Sequence, residues 1–161
     1  MNDDQKKMFV AWLNDAHALE ESLIPMLEKQ ISEAEDGEMK AKLEEHLQQT
    51  RRHAQLMRSC LARYGEEPSG GKDFLGTVAT AIAGMGMSMM HDKDVKNVHS
   101  SYGAEQTEIA TYTVIRAAAS EGGDTETMTI CDEILEDENQ MAQFLLEQIP
   151  NVVSNHLKKM M

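Results

Sequence analysis

The chain has few of the residues that build a sheet, a disulfide framework or a nucleic-acid surface. Of its 161 residues 4% are aromatic, two are cysteine and three proline, and β-branched residues are thinly spread. Lys and Arg number 15 against 28 Asp and Glu, a net charge of −13. That shortage of positive charge argues against binding the backbone of DNA or RNA, which needs a basic surface to displace phosphate counterions. The same excess attracts cations. Cys60 and Cys131 stand alone without a Cys-x-x-Cys pairing, so buried free thiols are expected rather than disulfides. A structural zinc site, which would favour cysteine, suits this chain less well than oxygen-rich ligation does. No apolar run reaches the ~20 residues that span a bilayer, and Met1–Leu13 lacks a positive start followed by an apolar stretch. The expectation is a soluble, cytoplasmic protein without membrane contact, with one domain over residues 1–161. The 13 methionines suit a helical bundle packed with flexible side chains.

The stretch Ser101–Ala119 organises the rest. It has good helix formers, no proline, and an apolar stripe through Ile109, Tyr112, Ile115 and Ala119 at spacings of three and four. One turn back, that stripe runs into Glu105 and Glu108. An unpaired buried carboxylate costs several kcal/mol or takes up a proton, and a metal ion is the obvious counter-charge.

Three other helices show the same interruption. A first helix is expected to start after Asn2-Asp3-Asp4 and run to about Ala34. Its stripe is Phe9, Leu13, Ala16, Glu20, Leu23, Leu27 and Ile31, with a kink before Pro25. His17 reads as a boundary residue. A second runs from about Glu38 to Tyr64, stopped by Gly65 and Pro68, with a stripe of Met39, Leu43, His46, Thr50, His53, Met57 and Leu61. Polar residues occupy its central turns, and Gln49 lies one step round. The last begins at an Asp124 or Thr125 cap and is expected to end near Ile149, before Pro150 and Asn151, with Glu138 breaking a stripe of Ile130, Ile134, Met141, Leu145 and Ile149. The tail from Val152 is expected to pack loosely or fray. Residues 73–99, rich in glycine and methionine at first, read as the connection between two antiparallel helix pairs, with His91 and His99 facing solvent or an interface. Its methionines read as packing rather than copper ligands.

In an antiparallel bundle these breaks meet at one depth, bringing four carboxylates and at least one imidazole around a shared cavity. Four negative charges balance two divalent cations. Oxygen-rich ligation with histidine suits iron or manganese.

On Leu-Asn-Asp-Ala-His-Ala-Leu-Glu at 13–20, Leu-Ile-Pro at 23–25, His-Leu-Gln-Gln-Thr at 46–50, Glu-Gln-Thr-Glu-Ile-Ala-Thr-Tyr at 105–112 and Leu-Glu-Asp-Glu at 135–138, the chain resembles the ferritin-like superfamily, specifically its bacterial YciE/YciF-type members. The resemblance covers nearly the whole chain. It implies an all-α antiparallel four-helix bundle with a crossover segment of short helices between helices two and three, a di-iron centre, a link to stress response, and a homodimer.

The usual di-metal pattern has one glutamate on each of two helices and Glu-x-x-His on each of the others. Here Thr50 stands in the glutamate position before His53, and Met141 stands in the histidine position after Glu138. The expected ligands are Glu20, His53, Glu105, Glu108 and Glu138, with His46, Gln49 and Thr50 as the neighbours that orient them. The cofactor implied is iron, two ions per chain at most, with manganese or zinc as substitutes. The implied activity is oxidation of Fe(II) with oxygen or peroxide. The alternative is a non-catalytic stress or assembly protein whose metal site is structural or incomplete.

Overall fold

The computed structural model describes residues 1–69 and 93–161, and these form four long helices: α1 (Asp3–Glu33), α2 (Gly37–Arg63), α3 (Lys93–Gly122) and α4 (Thr125–Lys159). Each start is set by local chemistry. Asn2 caps α1, its side chain accepting from the Gln5 amide at 2.9 Å while the Gln5 side chain accepts from the Asn2 amide at 2.8 Å. Asp36 caps α2 by accepting from the Met39 amide at 2.8 Å, and Asp124 caps α4 through the Thr127 amide at 3.0 Å. Gly123, at φ +71°, supplies the left-handed residue that the tight α3–α4 turn requires.

α1 packs on α2 and α3, and α4 packs on α3 and α2. Side-chain pairs fix the directions. Gln30 near the end of α1 meets Ser101 near the start of α3 at 3.0 Å. Arg63 at the end of α2 pairs with Glu126 at the start of α4 at 3.0 Å. Neighbouring helices are therefore antiparallel. α2 finishes at the end of the bundle where α1 begins, and α3 starts at the opposite end. The expected crossover of short helices, and His91 with it, falls largely in residues 70–92, outside the described residues.

Two helices run further than the periodicity indicates. α3 begins at Lys93, about two turns before Ser101. α4 passes through Pro150 to Lys159 instead of ending near Ile149. A proline removes one helical hydrogen bond and crowds the carbonyl four residues back, here that of Leu146, whose residue is half exposed, so water can serve that carbonyl. Beyond the proline, Val152 packs against the core, and Lys158 and Lys159 place positive charge at the dipole's negative end. The segment read as a loose tail is thus helix.

The core is layered. Toward one end, Phe9, Leu13, Met57, Leu61, Ile115 and Ile134 form an apolar cluster with Tyr112 and both cysteines, which are buried and free. Toward the other, Leu27, Leu43, Leu47, Val98, Met141 and Leu145 form a second. Burying each such side chain contributes roughly 1.5–3 kcal/mol. Between these layers lies a polar one.

Candidate metal centre

Every helix sends at least one side chain into the polar layer: Glu20 from α1, His46, Thr50 and His53 from α2, Glu105 and Glu108 from α3, Glu138 from α4. All are at most 3% exposed. The periodicity argument placed these residues on core faces, and the bundle brings them together at one depth.

They divide into two groups whose ligand atoms lie within 4.8 Å of one another: His46, Glu105, Glu108 and Glu138, and Glu20, His53 and Glu138. Only Glu138 belongs to both. His46 Nε2 is 3.2 Å from Glu105 Oε1 and 3.8 Å from Glu138 Oε2. His53 Nδ1 is 2.8 Å from Glu138 Oε1 and 3.6 Å from Glu20 Oε1.

His46, read from sequence as an orienting neighbour, thus presents its Nε2 within the first group. Gln49 is the residue behind it, with Oε1 3.3 Å from His46 Nδ1. Thr50 is fully buried on the same face of α2, one turn from each histidine. His17 is half-buried at the boundary, and His99 is exposed, as read from the sequence.

Two contacts around the site were not read from the sequence. Asp137 Oδ2 meets His53 Nε2 at 3.0 Å, the far nitrogen from the cluster, as a carboxylate that fixes a histidine's tautomer and orientation does. Tyr112, fully buried, donates its phenolic hydrogen to Glu20 Oε1. The sequence read Tyr112 chiefly as packing, and it does sit in the apolar cluster, with its ring edge-on to His53. Asp137 carried one signal, its place directly before Glu138, but adjacent helical residues point in different directions and the sequence did not single it out.

The number of unsatisfied atoms is the feature that a folded core does not tolerate without a reason. Glu20 Oε2, Glu105 Oε2, both oxygens of Glu108, both of Glu138, Thr50 Oγ1 and His53 Nδ1 are buried without a hydrogen-bond partner among the described residues. The 2.8 Å approach of His53 Nδ1 to Glu138 is thus a close contact outside hydrogen-bond alignment. Each unmet buried polar group costs about 1–3 kcal/mol, more for a charged one. A set of lone pairs converging on one volume is what cation binding requires.

Without a cation the cluster is neutralised by protons. Burial lifts Glu108 well above the ordinary carboxylate range, and Glu138, Glu105 and Glu20 push it the same way. Burial raises Glu105 to about 8 against the pull of His46, and raises Glu20 despite His53 and Tyr112. Burial would lower the imidazoles, but the facing carboxylates outweigh it, taking His46 to about 9 and His53 to about 10. Glu138 is the exception. Burial opposes its ionisation, yet contact with His53 and His46 brings it below the ordinary value.

The residues fit a pair of metal ions. Four carboxylates and two imidazoles are the donor inventory of a ferritin-like di-metal site, with the places redistributed. Glu108 adds a second carboxylate from α3, Thr50 brings none, and His46 presents an imidazole where Met141, buried in the second apolar cluster, cannot. Among the described residues no helix is long and apolar enough to cross a membrane. A cavity of about 650 Å³ opens at the bundle end between the α1–α2 turn and the end of α4, lined by Glu33, Asp36, Asp94 and Lys158 among others. Its floor of Leu43, Val98 and Leu145 belongs to the second apolar cluster, so it is separate from the cluster chemistry.

A family model described as "Domain of unknown function (DUF892)" matches residues 4–158. The solved structure of a protein from Xanthomonas campestris pv. campestris is similar at 29% identity, over 96% of this chain and 97% of that one, with a TM-score of 0.82. The Escherichia coli stress protein YciF is similar at 18% identity over 96% and 99%, TM-score 0.80. A structure described as ferritin-like, diiron-carboxylate proteins from Bacillus anthracis str. Ames is similar at 16% identity over 92% and 99%, TM-score 0.74. The fold is that of the ferritin-like, YciF-type bundle.

Proposed function

The chain belongs to the DUF892 family, and from that premise we propose that it is a di-metal, and specifically di-iron, carboxylate protein that oxidises Fe(II) with peroxide or oxygen in an iron or oxidative stress response. The observation that carries this reading is the set of buried oxygens left without partners on Glu20, Glu105, Glu108 and Glu138. A solvated surface cluster would have water for those atoms. Here the oxygens are buried and face one another, the donor set that cations bind.

The roles follow from position. Glu20, His53 and Glu138 hold one ion, and His46, Glu105, Glu108 and Glu138 the other. Four ionised carboxylates would neutralise two divalent cations, and binding would displace the protons that the cluster otherwise carries. Iron held by these residues would supply the electrons: oxidation of two Fe(II) to Fe(III) would reduce one hydrogen peroxide to two hydroxides. The two apolar layers exclude bulk water from the chemistry. Asp137 holds the His53 ring so that Nδ1 faces the cluster, and Gln49 does the same for His46 Nε2. Self-assembly as a homodimer is part of the same reading, and light scattering on the full chain tests it.

The experiment is metal analysis after anaerobic loading with Fe(II), followed by an absorbance scan on adding peroxide or oxygen, with Glu105→Ala beside the parent. The reading expects about two irons per chain and an absorbance change that the variant loses. Metal uptake with no change in either protein supports a structural metal site instead, the reading favoured by Thr50 and Met141 in the usual ligand positions.

A further inference from the structure

The hydroxyl of Thr50 is a buried donor that nothing among the described residues uses. Four other threonines in the described helices, Thr107, Thr111, Thr113 and Thr129, each donate to the carbonyl four residues back, at 2.7 to 3.0 Å. This is the default for a helical threonine. Thr50, the fully buried one on α2, does not, and its Oγ1 has no hydrogen-bond partner among the described residues. It sits four residues after His46 and three before His53, on the face of α2 that both imidazoles share. It therefore lies at the seam between the two groups of ligands, which only Glu138 otherwise joins.

The side-chain chemistry names the missing part. A glutamate at this position would bring a carboxylate to the seam on a two-carbon stem. Threonine ends one bond beyond Cβ, which leaves out the carboxylate and supplies a hydroxyl donor facing where it would have been. Neither Glu108 nor Glu138 takes that hydrogen, although both have unpartnered oxygens.

We propose that the seam beside Thr50 is a subsite for a small carboxylate-type anion, which accepts the Thr50 hydrogen and completes the metal pair in place of the absent glutamate. This rests on the two-metal reading. Formate, a carboxylate without a stem, is the probe.

The full-length protein is loaded with Co(II), its cobalt content measured, and its visible spectrum titrated with sodium formate, beside Thr50→Ser, Thr50→Val and Thr50→Glu. The parent and T50S shift saturably and with similar affinity. T50V keeps its cobalt and binds formate about ten- to a hundredfold more weakly, the loss expected for one hydrogen bond to a charged group. T50E keeps its cobalt and no longer responds, because its own carboxylate fills the place. A cobalt-loaded parent whose spectrum formate leaves unchanged, or a T50V protein that binds formate like the parent, overturns the subsite and leaves the metal pair standing. A parent that takes up no cobalt contradicts the metal pair itself.

Discussion

The half of the cluster around Glu20 and His53 is braced from outside. Tyr112 donates to one oxygen of Glu20, and Asp137 meets the far nitrogen of His53. Among the described residues, the half around His46, Glu105 and Glu108 has only Gln49 behind it, and both oxygens of Glu108 are unpartnered. One half is oriented before a cation arrives; the other gathers more negative charge and must carry protons until one does. Orientation reduces the ordering cost of binding, whereas charge strengthens attraction only where the protons have been displaced. The two positions should therefore respond differently to mutation and to pH, even though they share Glu138.

The largest effect is expected where the halves are joined. Glu138→Gln removes a ligand from both, so metal content on Fe(II) loading should fall from about two per chain to below one. A variant that keeps both ions would break the assignment of Glu138 as the shared residue.

Next, Glu108→Gln should remove one ion and leave the braced position filled, giving about one metal per chain. The same variant tests the proton account. Glu108, Glu105 and Glu20 have raised values in the metal-free fold, as do His46 and His53, so the native state binds more protons than the unfolded chain, whose values lie near 4.3 and 6.5. Stability of the metal-free protein therefore falls as pH rises, first from Glu above about 4.3 and then from His above about 6.5 toward the folded values of about 9 and about 10. Thermal melts of the metal-free parent should show Tm decreasing from pH 6 to pH 9, and E108Q a shallower decrease. A Tm that rises over that interval would contradict the protonated cluster.

Bracing should matter by a smaller amount and on one side only. Asp137→Asn and Tyr112→Phe are each expected to weaken metal at the Glu20–His53 position by about 10–100-fold, read by competition with a chelator, while the other position keeps its affinity. Equal losses at both positions would remove the distinction between the halves. The smallest effect belongs to Met141→Leu. Met141 packs against Leu145 and Leu27, so a volume-conserving change should cost less than about 1.5 kcal/mol by denaturant unfolding and leave metal content unchanged.

The buried carboxylates were legible in sequence for the same reason that they are costly in structure. Glu20, Glu105, Glu108 and Glu138 interrupt apolar stripes, and periodicity alone reports which residues face inward. It does not report what lies across the core. His46 and His53 sit on the same stripe, and only the packing of α2 against α4 brings both near Glu138, from opposite sides along the helix axis. Asp137 lies off the stripe of α4 and reaches His53 across a helix interface. Tyr112 lies on a stripe and looked like packing, because its hydroxyl partner is on another helix 92 residues away in sequence. The end of α4 was missed for a local reason: Pro150 breaks one hydrogen bond, and the contacts made by Val152 beyond it lie outside any reading of the segment by itself.

Anomalous scattering from a crystal of the Fe(II)-loaded protein tests the central claim most directly. Two peaks are predicted, one ringed by His46, Glu105 and Glu108, the other by Glu20 and His53, with Glu138 between them. A single peak, or two peaks with His46 turned away from both, would contradict it.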